Sequence, residues 1–122
     1  MSGWSVKLRV NDDKMLSMLG LCRRAGKLNA GYDLCVDKIK QGQARLALVA
    51  SDISEKTYKN LCYEAAHMQI PVRRIKHDRE VLGKACGIKA GIVVITDEGF
   101  TKAIVDMDDR MDEGGLQYDD KI

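Results

Sequence analysis

Length, composition and charge already narrow the class of this protein. The 122 residues suffice for one domain with a single core, and 45% hydrophobic with 31% charged residues is typical of a soluble globular chain. A single proline, few aromatic residues and no apolar run near the ~20 residues of a membrane span argue against repeat, disordered and transmembrane proteins. Residues 1–100 carry 17 Lys and Arg against 11 Asp and Glu, and residues 101–122 carry 3 against 7, so a mildly basic body with an acidic tail is compatible with a polyanion partner.

The N-terminal half alternates helical and strand patterns. The first helix has one apolar face with a 3.6-residue period, formed by Met15, Met18, Leu19 and Cys22, and Gly26 is expected to end it. A short strand is expected over residues 27–30. The same helical period then returns in Tyr32, Cys35, Val36 and Ile39, and Gly42 closes this second helix. Residues 46–50 (LALVA) form an unbroken apolar run, which predicts a strand covered on both faces.

The C-terminal half continues the alternation. Asp52 or Ser54 is expected to cap a third helix that Pro71 stops, and a short, more exposed strand follows over residues 72–76. Asp78 caps a brief helix ended by Gly87, and residues 92–96 (IVVIT) form a second buried strand. Asp97 caps the last helix, which is expected to fray past Arg110.

This order of elements predicts an α/β fold. We expect one domain, a three-layer α/β/α sandwich with a small mixed central sheet, an ordered core over about residues 6–110 and a flexible acidic tail over residues 111–122. Residues 1–4 lack the basic-then-apolar order of a signal peptide, which predicts a cytoplasmic protein.

The sequence contains few of the residue patterns that are typical of catalytic or metal-binding sites. The four cysteines, at positions 22, 35, 62 and 86, are widely spaced and form no CxxC pair, which favours free thiols packed as small hydrophobic groups over a zinc site. His67 and His77 fall at a helix end and in a turn, and the chain has neither a Walker loop nor a GxGxxG motif after a strand. The sequence therefore predicts no enzyme, no catalytic residue, no bound metal and no cofactor.

Two glycine-bounded turns carry more information. Residues 23–31 (RRAGKLNAG) form a basic connection into the second helix, where free backbone N–H groups suit a phosphate and Gly31 permits close approach of a sugar–phosphate backbone. Lys27 and Lys38 could add positive charge. The alternative interpretation is a solvated loop with an ordinary helix cap.

The second turn covers residues 82–91 (LGKACGIKAG). Ile88 and Ala90 are apolar residues between glycines on an expected loop, and such residues could support the unstacked bases through which proteins read RNA. The alternative is simple loop packing.

Three segments, MLGLCRRAGKLNAGYD, GQARLALVASD and VLGKACGI, together resemble the kink-turn-binding ribosomal protein family of archaeal L-seven-Ae and eukaryotic L-thirty-e, above all its small bacterial YlxQ-type members. The resemblance runs over residues 15–107. It implies an α/β/α sandwich that binds structured RNA, such as ribosomal RNA in kink-turns, acts on the ribosome, and is a monomer without membrane contact. The RNA-binding residues that the resemblance and the two turns imply are Lys27, Asn29, Gly31, Tyr32, Asp33, Lys38, Ile88, Lys89 and Ala90.

The chain departs from the family pattern early in the second helix. Asp33 and Leu34 stand where strong kink-turn binders carry asparagine and glutamate, and Asp37 stands where they carry lysine. Leu34 cannot accept a hydrogen bond from a guanine edge and Asp37 repels phosphate, so these residues predict weaker binding to a standard kink-turn. Two alternatives stay open: a protein–protein adaptor on the same fold, and an accessory domain that serves an RNA-modifying enzyme.

Overall fold

The computed structural model describes the backbone of residues 10–87 and 91–121, and the side chains of residues 14–87 and 91–109. Helices and strands alternate along the described chain. Their bounds are α1 (Val10–Arg24), β1 (Leu28–Ala30), α2 (Tyr32–Lys40), β2 (Leu46–Val49), α3 (Glu55–His67), β3 (Val72–Arg74), α4 (Arg79–Cys86), β4 (Ile92–Ile95) and α5 (Glu98–Lys121). The order agrees with the sequence prediction, including the short strand before the second helix.

The four strands form one mixed sheet in the order β1-β4-β2-β3. Strand β4 runs antiparallel to both of its neighbours, so that Ile95 faces Leu28 on one side and Leu46 on the other. Strands β2 and β3 are parallel, as expected for strands joined by a helical crossover. Every residue of β2 and of β4 is buried, which confirms the prediction from their unbroken apolar runs.

Helices cover both faces of this sheet and create two apolar cores. On one face, α1, α4 and α5 pack through Leu19, Leu82 and Ile104 against Leu48 and Ile95. On the other face, α2 and α3 contribute the buried residues Cys35, Val36, Ile39, Leu61 and Ala65, which pack on Ala47, Val49, Ile92 and Val94. The alternating residues of β2 and β4 therefore enter different cores, and the predicted three-layer sandwich is confirmed.

Local capping explains where the helices begin. Ser54 accepts a hydrogen bond from the N–H of Thr57 at 3.2 Å, and Asp78 accepts one from the N–H of Val81 at 2.9 Å. The carboxylate of Asp97 accepts the N–H of Phe100 at 2.9 Å, in front of α5. Asp78 and Asp97 were the predicted caps and Ser54 was one of two candidates, and each satisfies a backbone donor that the helix itself cannot pair.

The last helix is longer than the apolar period predicts. Its backbone stays helical to Lys121, past Arg110, where the sequence suggests fraying. Glycines such as Gly114 disfavour a helix by ~1 kcal/mol relative to alanine, but they keep the N–H that proline lacks and so do not end it. Arg73 on β3 ties the middle of α5 to the sheet through ion pairs with Asp108 and Asp109, at 2.9 and 2.8 Å. The flexibility of the tail stays a prediction.

None of the helices that the structure describes is long and apolar enough to span a membrane.

Candidate nucleic-acid interface

Two glycines from distant parts of the chain meet at one end of the sheet. The N–H of Gly31 donates a hydrogen bond to the carbonyl of Ile92 at 3.0 Å, and Gly91 immediately precedes Ile92. The carbonyl of Gly91 in turn accepts the N–H of Ala50 at 2.8 Å. We call Gly31, Tyr32 and Gly91 the glycine corner. The antiparallel pairing of β1 with β4 thus brings both predicted glycine turns to the same edge.

The first residue of the corner has a backbone conformation that favours glycine. Gly31 is the N-cap of α2 with φ 101° and ψ 143°, a region that side chains with a Cβ rarely adopt. Gly31 provides no side-chain cap. In the first hydrogen bond of the helix, the N–H of Cys35 donates to the carbonyl of Gly31. The preceding N–H groups, those of Tyr32, Asp33 and Leu34, have no acceptor within the helix. A Cβ added to Gly31 would meet no atom within 4 Å, so the space beside the N-cap of α2 is open.

A cleft of about 740 Å³ opens beside the corner. It is lined by Gly31, Tyr32, Asp52, Ile53, Thr57, Arg79, Glu80, Gly91 and Ile92. Asp52 joins two of its walls, because its carboxylate accepts the backbone N–H of Arg79 at 2.9 Å and the Nε of the same residue at 3.4 Å. The cleft therefore has a structured polar rim and an apolar floor.

Two side chains of the cleft lie close against Gly91. A Cβ added to Gly91 would lie 2.7 Å from Cδ1 of Ile53 and 2.9 Å from Cγ of Arg79. Both distances are shorter than real carbon contacts, so a larger residue would make these two side chains shift away from the start of β4. Sequence reasoning missed this role and the contribution of Ile53 and Arg79, because no local pattern pairs them with residue 91.

The structure separates the two predicted lysines from the corner. The carbonyl of Lys27 accepts the N–H of Thr96, at the far end of β4, whereas Gly31 pairs with Ile92. Four residues of extended strand place Lys27 about 13 Å from Gly31. Lys38 lies six residues into α2, about 9 Å along the helix axis, and its Nζ donates to Oε1 of Gln43 at 3.0 Å. Because β1 and α2 run away from the corner, both lysines lie beyond its immediate surroundings, and their contact with RNA stays a prediction.

Three other predicted site residues, Asn29, Tyr32 and Asp33, are nearer to the corner. Tyr32 is half-buried and lines the cleft, and Asp33 is exposed in the first turn of α2. Asn29 is half-buried in β1, two residues before Gly31, and its carbonyl accepts the thiol of Cys35 at 3.4 Å. Ile88, Lys89 and Ala90 lie outside the described residues, between Gly87 and Gly91.

The charge of the cleft is not that of a simple polyanion site. Among the described residues that line it, Arg79 is the one cation, and the carboxylates of Asp52 and Glu80 are beside it. Asp33 adds a third carboxylate at the helix start. The features of this edge that suit an anion are therefore its free backbone N–H groups, and not its net charge.

Three buried cysteines are held in the protonated thiol form at neutral pH, which disfavours nucleophilic chemistry. Burial raises the pKa of Cys22 and of Cys35 to about 12, and that of Cys86 to about 11. All four cysteines are free, and three of them are buried, as expected for small hydrophobic groups. In the part of the chain that the structure covers, no three His, Cys, Asp or Glu side chains form a group that could hold a metal ion.

Comparison with known proteins gives consistent matches over this fold. The family model for the ribosomal protein L7Ae/L30e/S12e/Gadd45 family matches residues 13–105. The chain is 33% identical over 91 residues to "RNA-binding protein YlxQ" of Bacillus subtilis, covering 74% of this chain and 90% of the relative. It is 27% identical over 95 residues to "Large ribosomal subunit protein eL30" of Yarrowia lipolytica, covering 76% and 87%.

Solved structures agree with these sequence matches. A protein of unknown function from Bacillus halodurans superposes with a TM-score of 0.74 at 33% identity, over 79% of this chain and 97% of its own. The "15.5kD RNA binding protein" of Giardia lamblia shares the fold, with a TM-score of 0.67 at 14% identity over 84% and 88% of the two chains. With the family model spanning most of the chain and a bacterial relative at one-third identity, the chain belongs to the ribosomal protein L7Ae/L30e/S12e/Gadd45 family.

Proposed function

We propose that this protein is a cytoplasmic RNA-binding protein that binds a kink-turn or a similarly bent RNA at the glycine corner and acts on the ribosome. In this proposal it is a monomer that binds without a cofactor and does not catalyse a reaction. The observation that carries the proposal is the 3.0 Å hydrogen bond between Gly31 and Ile92, because it brings both glycine turns together beside an open helix start. The relatives, which are named as an RNA-binding protein and a large ribosomal subunit protein, support the same partner.

The geometry supports two separate roles, phosphate binding at the start of α2 and base binding in the adjacent cleft. The unpaired N–H groups at the start of α2 suit a phosphate, and the missing side chain at Gly31 allows the RNA backbone to approach them. The adjacent cleft is large enough for an unstacked base, with Tyr32 and Ile53 as apolar walls. We assign the protruding nucleotides of the bend to this cleft and to Ile88, Lys89 and Ala90, which precede Gly91 in the sequence. Lys27 and Lys38, farther along β1 and α2, would then meet the RNA away from the bend.

Binding to two RNAs of equal length tests this proposal. Titration of the protein with a kink-turn RNA and with a straight duplex, at 50 and 200 mM salt, should show tighter binding to the kink-turn at both concentrations. Affinity for both RNAs should fall steeply with salt, because phosphate contacts release counterions. Equal affinity for the two RNAs would remove the kink-turn assignment and leave general RNA binding.

Replacing Asp37 by lysine is expected to strengthen binding to kinked RNA by roughly tenfold and to steepen the salt dependence by about one phosphate contact. Asp37 is exposed on α2, one turn beyond Asp33, so the change removes a repulsive charge and adds an attractive one. Asp106→Lys is the matched control, since Asp106 is exposed on α5, on the opposite helix layer. Isothermal titration calorimetry should show a gain for the first variant alone, and equal gains would mean that only net charge matters.

A protein–protein adaptor on the same fold is the second candidate. The observation that favours it is Leu34, which is 43% exposed on α2 beside the repulsive Asp37. An adaptor would retain its partner after nuclease treatment, and its binding would be lost in Leu34→Asp. An RNA-binding protein would instead lose its partners when the RNA is digested.

A further inference from the structure

The outer side of α3 carries an exposed stripe of polar, basic and aromatic residues. Its members recur at positions i, i+3, i+4, i+7 and i+11 and are Lys56, Lys59, Asn60, Tyr63 and His67; we call them the α3 stripe. No carboxylate of α3 belongs to it. Glu55 lies to one side, 3.5 Å from the guanidinium of Arg74, and Glu64 is half-buried on the other side. The stripe is thus a positively charged strip of surface.

Tyr63 gives this strip a largely exposed aromatic ring. It is 65% exposed, more than any other large hydrophobic side chain that the structure describes. Tyr58, on the same helix, differs because the guanidinium of Arg74 covers its ring at 4.5 Å. Solvent exposure of an aromatic face costs hydrophobic free energy that a stacking partner would recover.

The ring of Tyr63 is also held in one orientation before any base stacks on it. His67 packs edge-on against it, with ring centroids 4.6 Å apart and planes at 67°. The imidazole is itself held by a 2.9 Å contact between its Nδ1 and the carbonyl of Tyr63. Two rings fixed by one helix turn lose little freedom when a base stacks on them, which favours binding.

The stripe is continuous with the proposed RNA site. Thr57 lines the cleft beside the glycine corner, and Lys56 is its neighbour in the first turn of α3. From Lys56 to His67 the helix rises about 16 Å away from the cleft. A strand that leaves the cleft would therefore meet the lysines first and Tyr63 next.

We propose that the α3 stripe binds single-stranded RNA that continues out of the bend held at the glycine corner. Tyr63 stacks on an unpaired base, and Lys56 and Lys59 contact the neighbouring phosphates. Cations beside a free aromatic face are the pattern of single-strand binding surfaces, whereas one exposed ring gives too little apolar area for a protein partner. The location of the strand rests on the proposed function, but the stripe itself can be tested independently.

The test compares a blunt kink-turn RNA with the same RNA carrying an eight-nucleotide oligouridine extension, at its 5′ end in one version and at its 3′ end in another. In fluorescence anisotropy, one extended RNA should bind the full-length protein about tenfold more tightly than the blunt RNA, the gain from one stacked base and its phosphates. Tyr63→Ala should lose this gain and Tyr63→Phe should keep it. Lys59→Ala should flatten the salt dependence of the extended RNA, and Lys102→Ala, an exposed lysine on α5, should leave it unchanged.

The outcomes separate the stripe from the glycine corner. Equal affinity of the unmodified protein for all three RNAs, or a gain that survives in Tyr63→Ala, overturns the stripe and leaves the corner in place. Tyr63-dependent binding of free oligouridine, without preference for kinked over straight RNA, supports the stripe and contradicts the proposed function. Circular dichroism of each variant verifies that the surface substitutions leave the fold intact.

Discussion

Gly31→Val is expected to abolish selective binding to kinked RNA, with affinity lowered by about 100-fold or more. The valine side chain would occupy the open space in front of the unpaired N–H groups of α2, where no atom now lies within 4 Å of an added Cβ. Loss of two charge-assisted hydrogen bonds at ~1.5 kcal/mol each accounts for a change of this size. Titration of the variant with the kink-turn and with the straight duplex would show whether the preference disappears.

This substitution also strains the backbone, so it needs a matched control. A non-glycine residue at the φ and ψ of Gly31 costs ~1–3 kcal/mol of folding free energy. Gly26→Val has a comparable defect, since Gly26 has φ 75° and open space around its Cβ position, but it lies beyond the far end of β1. Both variants should lower Tm, and only Gly31→Val should lose the preference for kinked RNA. A similar loss in both would assign the effect to stability and contradict the site.

Leu48→Ala should have the largest effect on stability. Leu48 is fully buried in the central strand β2, where it faces Val93 of β4 and belongs to the core beneath α1, α4 and α5. Removal of its branched end leaves a cavity that costs ~2–5 kcal/mol, enough to lower Tm by about 10 °C or more in a domain of this size. Urea denaturation followed by circular dichroism would measure the change in the free energy of unfolding.

Leu34→Ala provides the comparison for Leu48. Leu34 is 43% exposed on α2, so the same truncation there should change the free energy of unfolding by less than ~1 kcal/mol. Equal destabilisation by the two truncations would mean that the sheet is not the centre of the folding unit.

The secondary structure was predictable because its signals are local. LALVA and IVVIT are too apolar to lie on a surface, and the structure buries all of β2 and β4. Ser54, Asp78 and Asp97 each precede a helical period and each caps its helix through a side-chain oxygen. A cap depends on residues three positions apart, so the sequence placed Asp78 and Asp97 and narrowed the third cap to Asp52 or Ser54.

The geometry of the site was only partly predictable, because it depends on long-range pairing. The sequence identified both glycine turns, but their contact arises from the antiparallel register of β1 and β4, which are some 60 residues apart in the chain. The same register places Lys27 at the end of β1 that is farther from the glycine corner, although Lys27 and Gly31 are close in the sequence. Likewise, the bond between Asp52 and Arg79 links residues 27 positions apart, and no local pattern identifies it.

The sheet therefore does more than stabilise the domain. By pairing with both β1 and β2, β4 brings Gly91 beside Gly31 and also beside the residues that follow β2, where Ile53 and Asp52 complete the cleft. Since the cleft carries more carboxylates than cations among its described residues, the proposed binding of a bent RNA there depends on this backbone geometry. In the same proposal, the positively charged α3 stripe supplies attraction that the corner lacks.

Nuclear magnetic resonance titration of ¹⁵N-labelled protein with a kink-turn RNA tests this geometry most directly. The account predicts the largest chemical-shift changes at the glycine corner and the start of α2, in the backbone amides of Gly31, Tyr32, Asp33, Leu34 and Gly91. Changes should be smaller at Lys27 and Gln43, at the opposite end of the sheet. The largest changes at Lys27 and Gln43, with the amide signals of residues 31–34 unchanged, would contradict it.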